Sequence, residues 1–406
     1  MLRKFGLKAD NSAFLLVVSL TIPGCNSRSG SEGFVLSDSA GVEIVESRRA
    51  VWNGADAWRL SEDPVLAVGV DMGPEEYQFS DVSGILLFDD GSLVVADGGT
   101  REIRFFDSEG EFRNSTGGNG EGPGEFRSIT GLGRFDGDSV WVYDFWLRRI
   151  SIFDSEGQFG RTALLNAEIP RLTSLGRVSN GDFIFVQTFS SAGVSAENRL
   201  GLVRHPVAIT AFNSMGEFKD TIGLYPGREL VLREEDGRIV MGMPPFGHNA
   251  VAAVGGLSVF VGDAEDYEVQ VLGPTGDLQR ILRRSGLELG ISDADREAWI
   301  ERLVSDVPSD VRPGLRAQLQ DIPAPATRPA YSRIMADQLG FLWVAEYVHV
   351  VDQPRVWDVF GLEGQWFGSV ETPENFSPLE IFEDKMVGVH KDDFDVERIW
   401  ILPLKR

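Results

Sequence analysis

One cysteine, four histidines and a shortage of basic side chains set the first limits on this chain of 406 residues. Cys25 has no second thiol to pair with, so an internal disulfide and a cysteine metal cluster are both excluded. His205, His248, His349 and His390 stand at no metal-ligand spacing, and there is no HExxH helix signature. No serine sits in a nucleophile elbow, and no GxxxxGK(S/T) loop is present to cradle nucleotide phosphates. Lysine and arginine number 38 against 62 acidic residues, a formal net charge of -24. Such a surface repels phosphate backbones, which argues against non-specific nucleic-acid binding.

Long apolar runs are also missing. The stretch from Ala13 to Ile22 is too short to span a bilayer as a permanent helix. With Arg3, Lys4 and Lys8 before it and Pro23-Gly24-Cys25 after it, it has the layout of a secretory signal. Ile22-Pro23-Gly24-Cys25 resembles the lipobox of bacterial lipoproteins, although Pro23 and the acidic Asp10 depart from the pattern. The resemblance implies that residues 1–25 are removed as a leader after lipidation of Cys25. The protein would then be exported and membrane-anchored by its lipid, in the periplasm or at the cell surface; a plainly secreted protein and a cytoplasmic one are the alternatives. Residues 26–33, NSRSGSEG, read as a flexible polar tether.

Glycine is plentiful: 46 glycines and 19 prolines are spread along the chain, and 42% of residues are hydrophobic. That composition suits many short strands joined by tight turns around a large core. The stretch from Gly73 to Phe112 recurs in altered form from Gly122 to Phe159. Within it, Asp-Asp-Gly, Asp-Gly-Gly and Asp-Ser-Glu-Gly separate four segments of strand composition, which predicts a four-stranded antiparallel meander. The last of these turns recurs at Gly110, Gly157, Gly216, Gly276 and Gly364, spaced 47, 59, 60 and 88 residues apart. A sixth set begins at Leu379 and stops one strand short. The segment ending at Gly69 aligns with the missing strand, so Val65 to Gly69 is expected beside Ile399 to Leu404, closing a ring that would otherwise leave open edges. Val42 to Glu46 is expected outside as an extra strand. The long last spacing places a helical insertion at 286–330, with Ser292 and Asp295 as a capping box and Trp299, Ile300, Leu303 and Val304 on one side. The fold class is therefore all-β: a six-bladed β-propeller at 34–406, its last blade closed by an N-terminal strand.

GNGEGPGEF, the VVAD after the second strand, and the IRFFDSEGEF and ISIFDSEGQF segments resemble the NHL-type repeats of six-bladed propellers found among bacterial exported proteins and lipoproteins. That family commonly puts arginine before the isoleucine of the third strand. Arg149 before Ile150 fits, whereas Glu102 occupies that place before Ile103.

Propeller connectivity gathers the GPxE loops, the insertion and the loops after each second strand on one face. The starts of the innermost strands, Ser83, Thr130, Ser174, Asn249, Arg333 and Glu380, are expected at the channel mouth there, with His248 beside Asn249. A one-residue slip would turn any of them away. Arg333 is a cation able to fix a carboxylate or phosphate, or else to pair with Glu380 or Glu346. Trp146 and Arg148 suit stacking on a sugar or filling a gap between blades. Asp97 and Asp144 read as loop caps.

With no reactive signature, the expected function is non-catalytic binding of a protein, peptide or glycan of the cell envelope by a monomer, with no cofactor. The alternative is a calcium-dependent lactonase or phosphoesterase, for which Glu346, Asn249 and either Asp144 or Asp263 would have to converge. A structural envelope protein is a third reading.

Overall fold

The computed structural model describes residues 33–188, 200–305, 307–348 and 355–406. Cys25, the leader, the tether up to residue 32 and His349 lie outside the described residues.

The turn-bounded segments of the repeat become strands. In blade 1, Val82–Leu87, Leu93–Asp97, Glu102–Phe106 and Phe112–Gly117 pair antiparallel in chain order; in blade 2, Ile129–Arg134, Val140–Asp144, Arg149–Phe153 and Phe159–Leu164 do the same. The Asp-Ser-Glu-Gly turns close because Asp107 accepts the N–H groups of Glu109 and Glu111 at 3.0 and 2.8 Å, and Asp154 those of Glu156 and Gln158 at 3.0 and 2.8 Å. Gly110 and Gly157 then take φ of 82° and 76°, a left-handed conformation that glycine adopts without a Cβ penalty. The second and third strands of a blade are covered on both sides by neighbouring blades, so they read as continuous apolar runs. Val94, Ile103, Phe126, Val142 and Phe153 share one core between blades 1 and 2.

Four more sheets complete the six-bladed β-propeller. Blade 3 holds Leu172–Arg177 and Phe183–Gln187, followed by a long hairpin, Gly201–Phe212 and Phe218–Glu235, that overruns the blade and adds a fifth strand, Arg238–Gly242. Blade 4 comprises Val251–Gly255, Ser258–Gly262, Glu268–Leu272 and Leu278–Arg284; blade 5 comprises Arg333–Ala336, Leu342–Ala345, Val356–Phe360 and Trp366–Glu371. Blade 6 supplies Phe376–Ile381, Lys385–Lys391 and Glu397–Lys405 from the C-terminal side.

Its outer strand comes from the other end of the chain, as expected. Leu66–Val68 lies antiparallel to Glu397–Lys405 with Val68 opposite Ile399, and Leu60 sits opposite Leu404. Upstream, Val42–Ser47 adds in parallel to the outer strand of blade 4, and Phe34–Ser39 pairs outside it. Between these two attachments, the N–H groups of Val51 and Trp52 donate to the carbonyls of Trp366 and Phe367 on blade 5, at 3.1 and 2.8 Å. One segment thus straps three blades. Trp52 and Trp58 pack into the core of blades 5 and 6, and the Arg406 guanidinium lies 4.2 Å from the Trp58 ring while pairing with buried Asp337 at 2.6 Å.

The insertion holds two helices, Asp293–Ser305 (α1) and Arg312–Gln320 (α2), where the sequence pattern marked one. Ser292 and Asp295 form the expected box: the Asp295 N–H donates to Ser292 Oγ at 3.1 Å and the Ser292 N–H to Asp295 Oδ2 at 2.8 Å. Ile300, Val304 and Leu319 bury one another, and Arg316 pairs with Glu297 and Glu301 across the two helices. Pro313 falls in the first turn of α2, where proline displaces no helical hydrogen bond.

Candidate functional site

The GPxE loops are held from below by arginines of the third strands. Arg104 donates to the carbonyls of Gln78 and Glu76 at 2.6 and 3.3 Å, to Thr100 Oγ1 at 3.2 Å, and pairs with Asp97 at 3.3 Å. Arg149 donates to the carbonyls of Glu121, Gly122 and Glu125 at 2.9, 2.7 and 2.6 Å. The two arginines differ by two positions along their strands, and a period of two keeps them on the same strand face. Arg104 therefore does in blade 1 what Arg149 does in blade 2, although Glu102 stands where the repeat pattern puts arginine. Asp97 receives N–H bonds from Ser80, Gly99 and Thr100, at 3.3, 3.0 and 3.3 Å. Burial nonetheless holds its carboxyl above the ordinary aspartate range, with those bonds and Arg104 opposing.

Asp144 is engaged in the same way, accepting from Arg127, Ser128 and Leu147 N–H at 2.7, 3.4 and 2.8 Å. Asp263 faces Arg204 at 3.7 Å and caps the Glu265 N–H at 3.1 Å, while Glu346 Oε1 accepts from the Arg355 N–H at 3.4 Å. Asp144 and Glu346 are thus engaged by backbone N–H groups of their own loops, and Asp263 by its own loop and by Arg204 of the blade 3 hairpin. Among the described residues no three metal-ligating side chains of the His, Cys, Asp and Glu types group together.

The residues expected at the mouth are distributed differently. Ser83 Oγ donates to the Ala96 carbonyl at 3.4 Å. The hydroxyls of Thr130 and Ser174 are enclosed without a hydrogen-bond partner. Arg333 opens the inner strand of blade 5, and its Nη1 lies 3.4 Å from Ser377 Oγ on blade 6. Its guanidinium is 5.9 Å from the centroid of the Trp357 ring. Neither Glu346 nor Glu380 pairs with it, so the expected ion pair is replaced by one hydroxyl. Burial pulls the Arg333 guanidinium below its ordinary pKa.

Glu380 is misplaced by the sequence reading. The inner strand of blade 6 begins at Phe376, with His390 opposite it, so Glu380 lies near that strand's far end. There it accepts from the Leu87 N–H at 3.3 Å and from Gln338 at 3.2 Å, and burial pushes its carboxyl up to about 7 against those bonds and the nearby Arg134. Ser377 takes the position at the mouth. A recurring apolar-hydroxyl pair, Val82-Ser83, Ile129-Thr130 and Phe376-Ser377, marks it in the sequence.

His248 is buried, and Glu229 Oε2 accepts its backbone N–H at 3.1 Å and lies 3.0 Å from its Nδ1. Burial alone would raise the Glu229 carboxyl, but the side-chain and backbone bonds with His248 outweigh it and hold the group below its ordinary value. This pair fixes the connection from blade 3 to blade 4, so that Asn249 reaches a cleft of about 710 Å³ on the same face. Met243, Pro244 and Phe246 line one side of that cleft, and Trp299, Leu303, Leu319 and Ile322 of the insertion line the other. Arg228, Glu229, Asn249 and Tyr347 supply polar groups. Burial pushes the Tyr347 hydroxyl up to about 12, opposed by Arg328. Trp146 is exposed and rests edge-on against Phe145; it fills no gap between blades.

A family described as a 6-bladed β-propeller, DUF5128, matches over residues 73–198, and no curated protein matches the chain. A crystal structure of a protein from Bacteroides fragilis, designated exported, aligns at a TM-score of 0.50 and 13% identity, covering 89% of this chain and 99% of that one. A DUF4221 member from Bacteroides vulgatus aligns at 0.42 and 13%, covering 86% and 99%. Virginiamycin B lyase from Staphylococcus aureus aligns at 0.42 and 12%, covering 86% and 100%. At 13% identity the likeness to the first of these is one of fold alone. Among the described residues no helix is long and apolar enough to cross a membrane.

Proposed function

We propose that this chain is an exported binding propeller whose receptor surface is the cleft between the blade 3 extension and the two-helix insertion. The observation that carries the reading is the cleft's composition: apolar walls from two separate insertions, edged by Arg228, Asn249 and Tyr347. Such a pocket takes a bulky apolar group and orients it with a few hydrogen bonds. A protein or peptide side chain is the occupant this chemistry favours over a glycan, because the walls offer apolar area rather than a polar lining. The leader-like N-terminus supports export, with Cys25 as the lipid anchor. Arg149, placed before Ile150, supports kinship with NHL-type propellers.

Peptide display against the immobilised protein tests the assignment. Enriched sequences should share an aromatic or large aliphatic residue, and Leu303→Asp should cut their binding at least tenfold, since a charge then faces the apolar wall. Enrichment without an apolar consensus, or binding that Leu303→Asp leaves unchanged while the protein melts normally, would remove the cleft as the receptor surface.

A further inference from the structure

The outer edges of the six blades are finished in different ways. Those of blades 4 and 6 are covered by N-terminal strands, and that of blade 5 accepts the N–H groups of Val51 and Trp52. The outer strands of blades 1 and 2 carry register shifts and present Arg113 and Ser115, or Gly160 and Arg161, along the edge. Blade 3 ends on Arg238–Gly242, which pairs with Phe218–Glu235 without a register shift and has no strand beyond it among the described residues. Asp236 and Gly237 turn the chain with φ of 51° and 73°, positive at both central residues as a type I′ hairpin requires, so Glu235 and Arg238 exchange the first ladder bonds. Alternation along the antiparallel ladder then directs the N–H and C=O groups of Val240 inward and those of Ile239 and Met241 outward. The side chains of Ile239, Met241 and, beyond the strand, Met243 are 40%, 45% and 64% exposed. Met243 also lines the cleft beside the insertion, so the open edge runs into it. An edge left regular, apolar and unpaired is a template for one more strand.

We propose that blade 3 binds an extended peptide as an added antiparallel strand along Ile239 and Met241, with a bulky apolar residue at the peptide's N-terminal end seated in the cleft. Only the seating rests on the cleft as receptor surface; the strand pairing stands on the edge itself. Main-chain hydrogen bonds supply affinity, and side chains opposite Met241 and Ile239 meet apolar area on one face. Antiparallel entry continues a blade whose pairings are all antiparallel, and it takes the peptide's C-terminal end to the hairpin tip. There Glu234, Glu235 and Asp236 outnumber Arg233 and Arg238, and among the described residues Glu235 alone of these carboxylates has an ion pair, with Arg233 at 3.5 Å. A basic residue about six positions after the apolar anchor lies beside them. A second copy of this chain is the poorer occupant, because edge-to-edge pairing would bring together two net charges of -24.

Calorimetric titration of the full chain with the synthetic peptide acetyl-WTVTVTKK-amide tests this. Its tryptophan is set for the cleft, its valines for Met241 and Ile239, and its lysines for the tip. N-methylation of the third or fifth residue, whose N–H groups face the edge, should weaken binding about tenfold or more; N-methylation of the fourth, whose N–H faces solvent, should leave it within about twofold. Met241→Pro removes an outward N–H that the hairpin does not use, at an edge position that tolerates proline, and should cost the same factor while the protein melts normally. The reversed peptide KKTVTVTW should bind more weakly, and glutamates in place of the lysines should lose about two- to threefold, less in added salt. No binding by the wild-type chain, N-methyl effects without the alternation, or full binding by Met241→Pro would each overturn the added strand. Tighter binding of the reversed peptide would overturn its direction, and no loss with glutamate would overturn the role of the tip. A chain that is dimeric in solution and monomeric as Met241→Pro would overturn the peptide as occupant. Alternation that persists while Leu303→Asp changes nothing keeps the edge and removes the cleft; a Leu303→Asp loss without alternation keeps the cleft and removes the edge.

Discussion

Arg104 and Arg333 are arginines of neighbouring layers of the propeller, the first buried and the second half-buried, and their surroundings are opposite. Arg104 spends its donors on two loop carbonyls, a threonine hydroxyl and a buried aspartate; Arg333 has Ser377. A guanidinium whose donors are used by backbone is part of the architecture, because its removal exposes polar atoms that nothing else can reach. One that is half-buried, with a single hydroxyl for a partner, holds up little of the backbone around it. The difference separates the glycine-rich corners, which look like ligand loops in the sequence, from the mouth of the channel, which is marked only by a short apolar-hydroxyl pair in three blades.

Arg104→Met strikes the first of these hardest. It strands the Asp97 carboxyl and the carbonyls of Glu76 and Gln78, for an expected loss of about 3–5 kcal/mol in urea unfolding. A loss below about 1 kcal/mol would show that the loop stands without its arginine. Glu380→Gln addresses the far end of the inner strands, where a carboxyl is held up at about 7 against an ordinary value of 4.5. A raised folded value means that the native state binds the proton more tightly. That stabilisation is complete below about pH 4.5 and is lost as pH rises through about 7. The wild-type chain should therefore weaken between pH 5 and 8. Glu380→Gln should flatten that slope and gain on the order of 2 kcal/mol at pH 8, a figure already reduced for solvent reaching the group; parallel pH profiles for the two would refute the assignment. Arg333→Met sharpens the comparison from the other side. Removing a cation with no ionic partner should stabilise the ligand-free chain by roughly 1 kcal/mol, seen as a higher melting midpoint. A lower midpoint would mean that Arg333 serves the fold, as Arg104 does.

The ring was legible in the sequence because turn chemistry repeats. Asp107 and Asp154, with Gly110 and Gly157, mark the same bend twice, and the register of Val68 against Ile399 follows from aligning one loop with the next. Blade 3 was less legible: its hairpin overruns the blade, and Pro206 and Pro226 sit opposite each other inside it without ending either strand. The second insertion helix was hidden by Pro313, which usually signals the end of a helix and here begins one. The site residues suffered most. Counting the inner strand of blade 6 from Leu379 instead of Phe376 moved Glu380 to the wrong end, and no local pattern announces that Glu229 fastens His248 from nineteen residues away. Local rules fix turns and strands, whereas contacts across blades depend on where the ring brings distant segments.

The strap that crosses blades 4, 5 and 6 also orders events in time. Val68 has no strand to join until Ile399 exists, so a chain made from its N-terminus must carry the 59–68 segment unpaired through the synthesis of five blades. Blades 1 and 2, whose pairings are local, are free to form early, while the ring stays open at one seam. Completion is then a single late step in which the oldest and newest parts of the chain meet, and any protease or chaperone acting before that step encounters an exposed apolar edge rather than a closed disc.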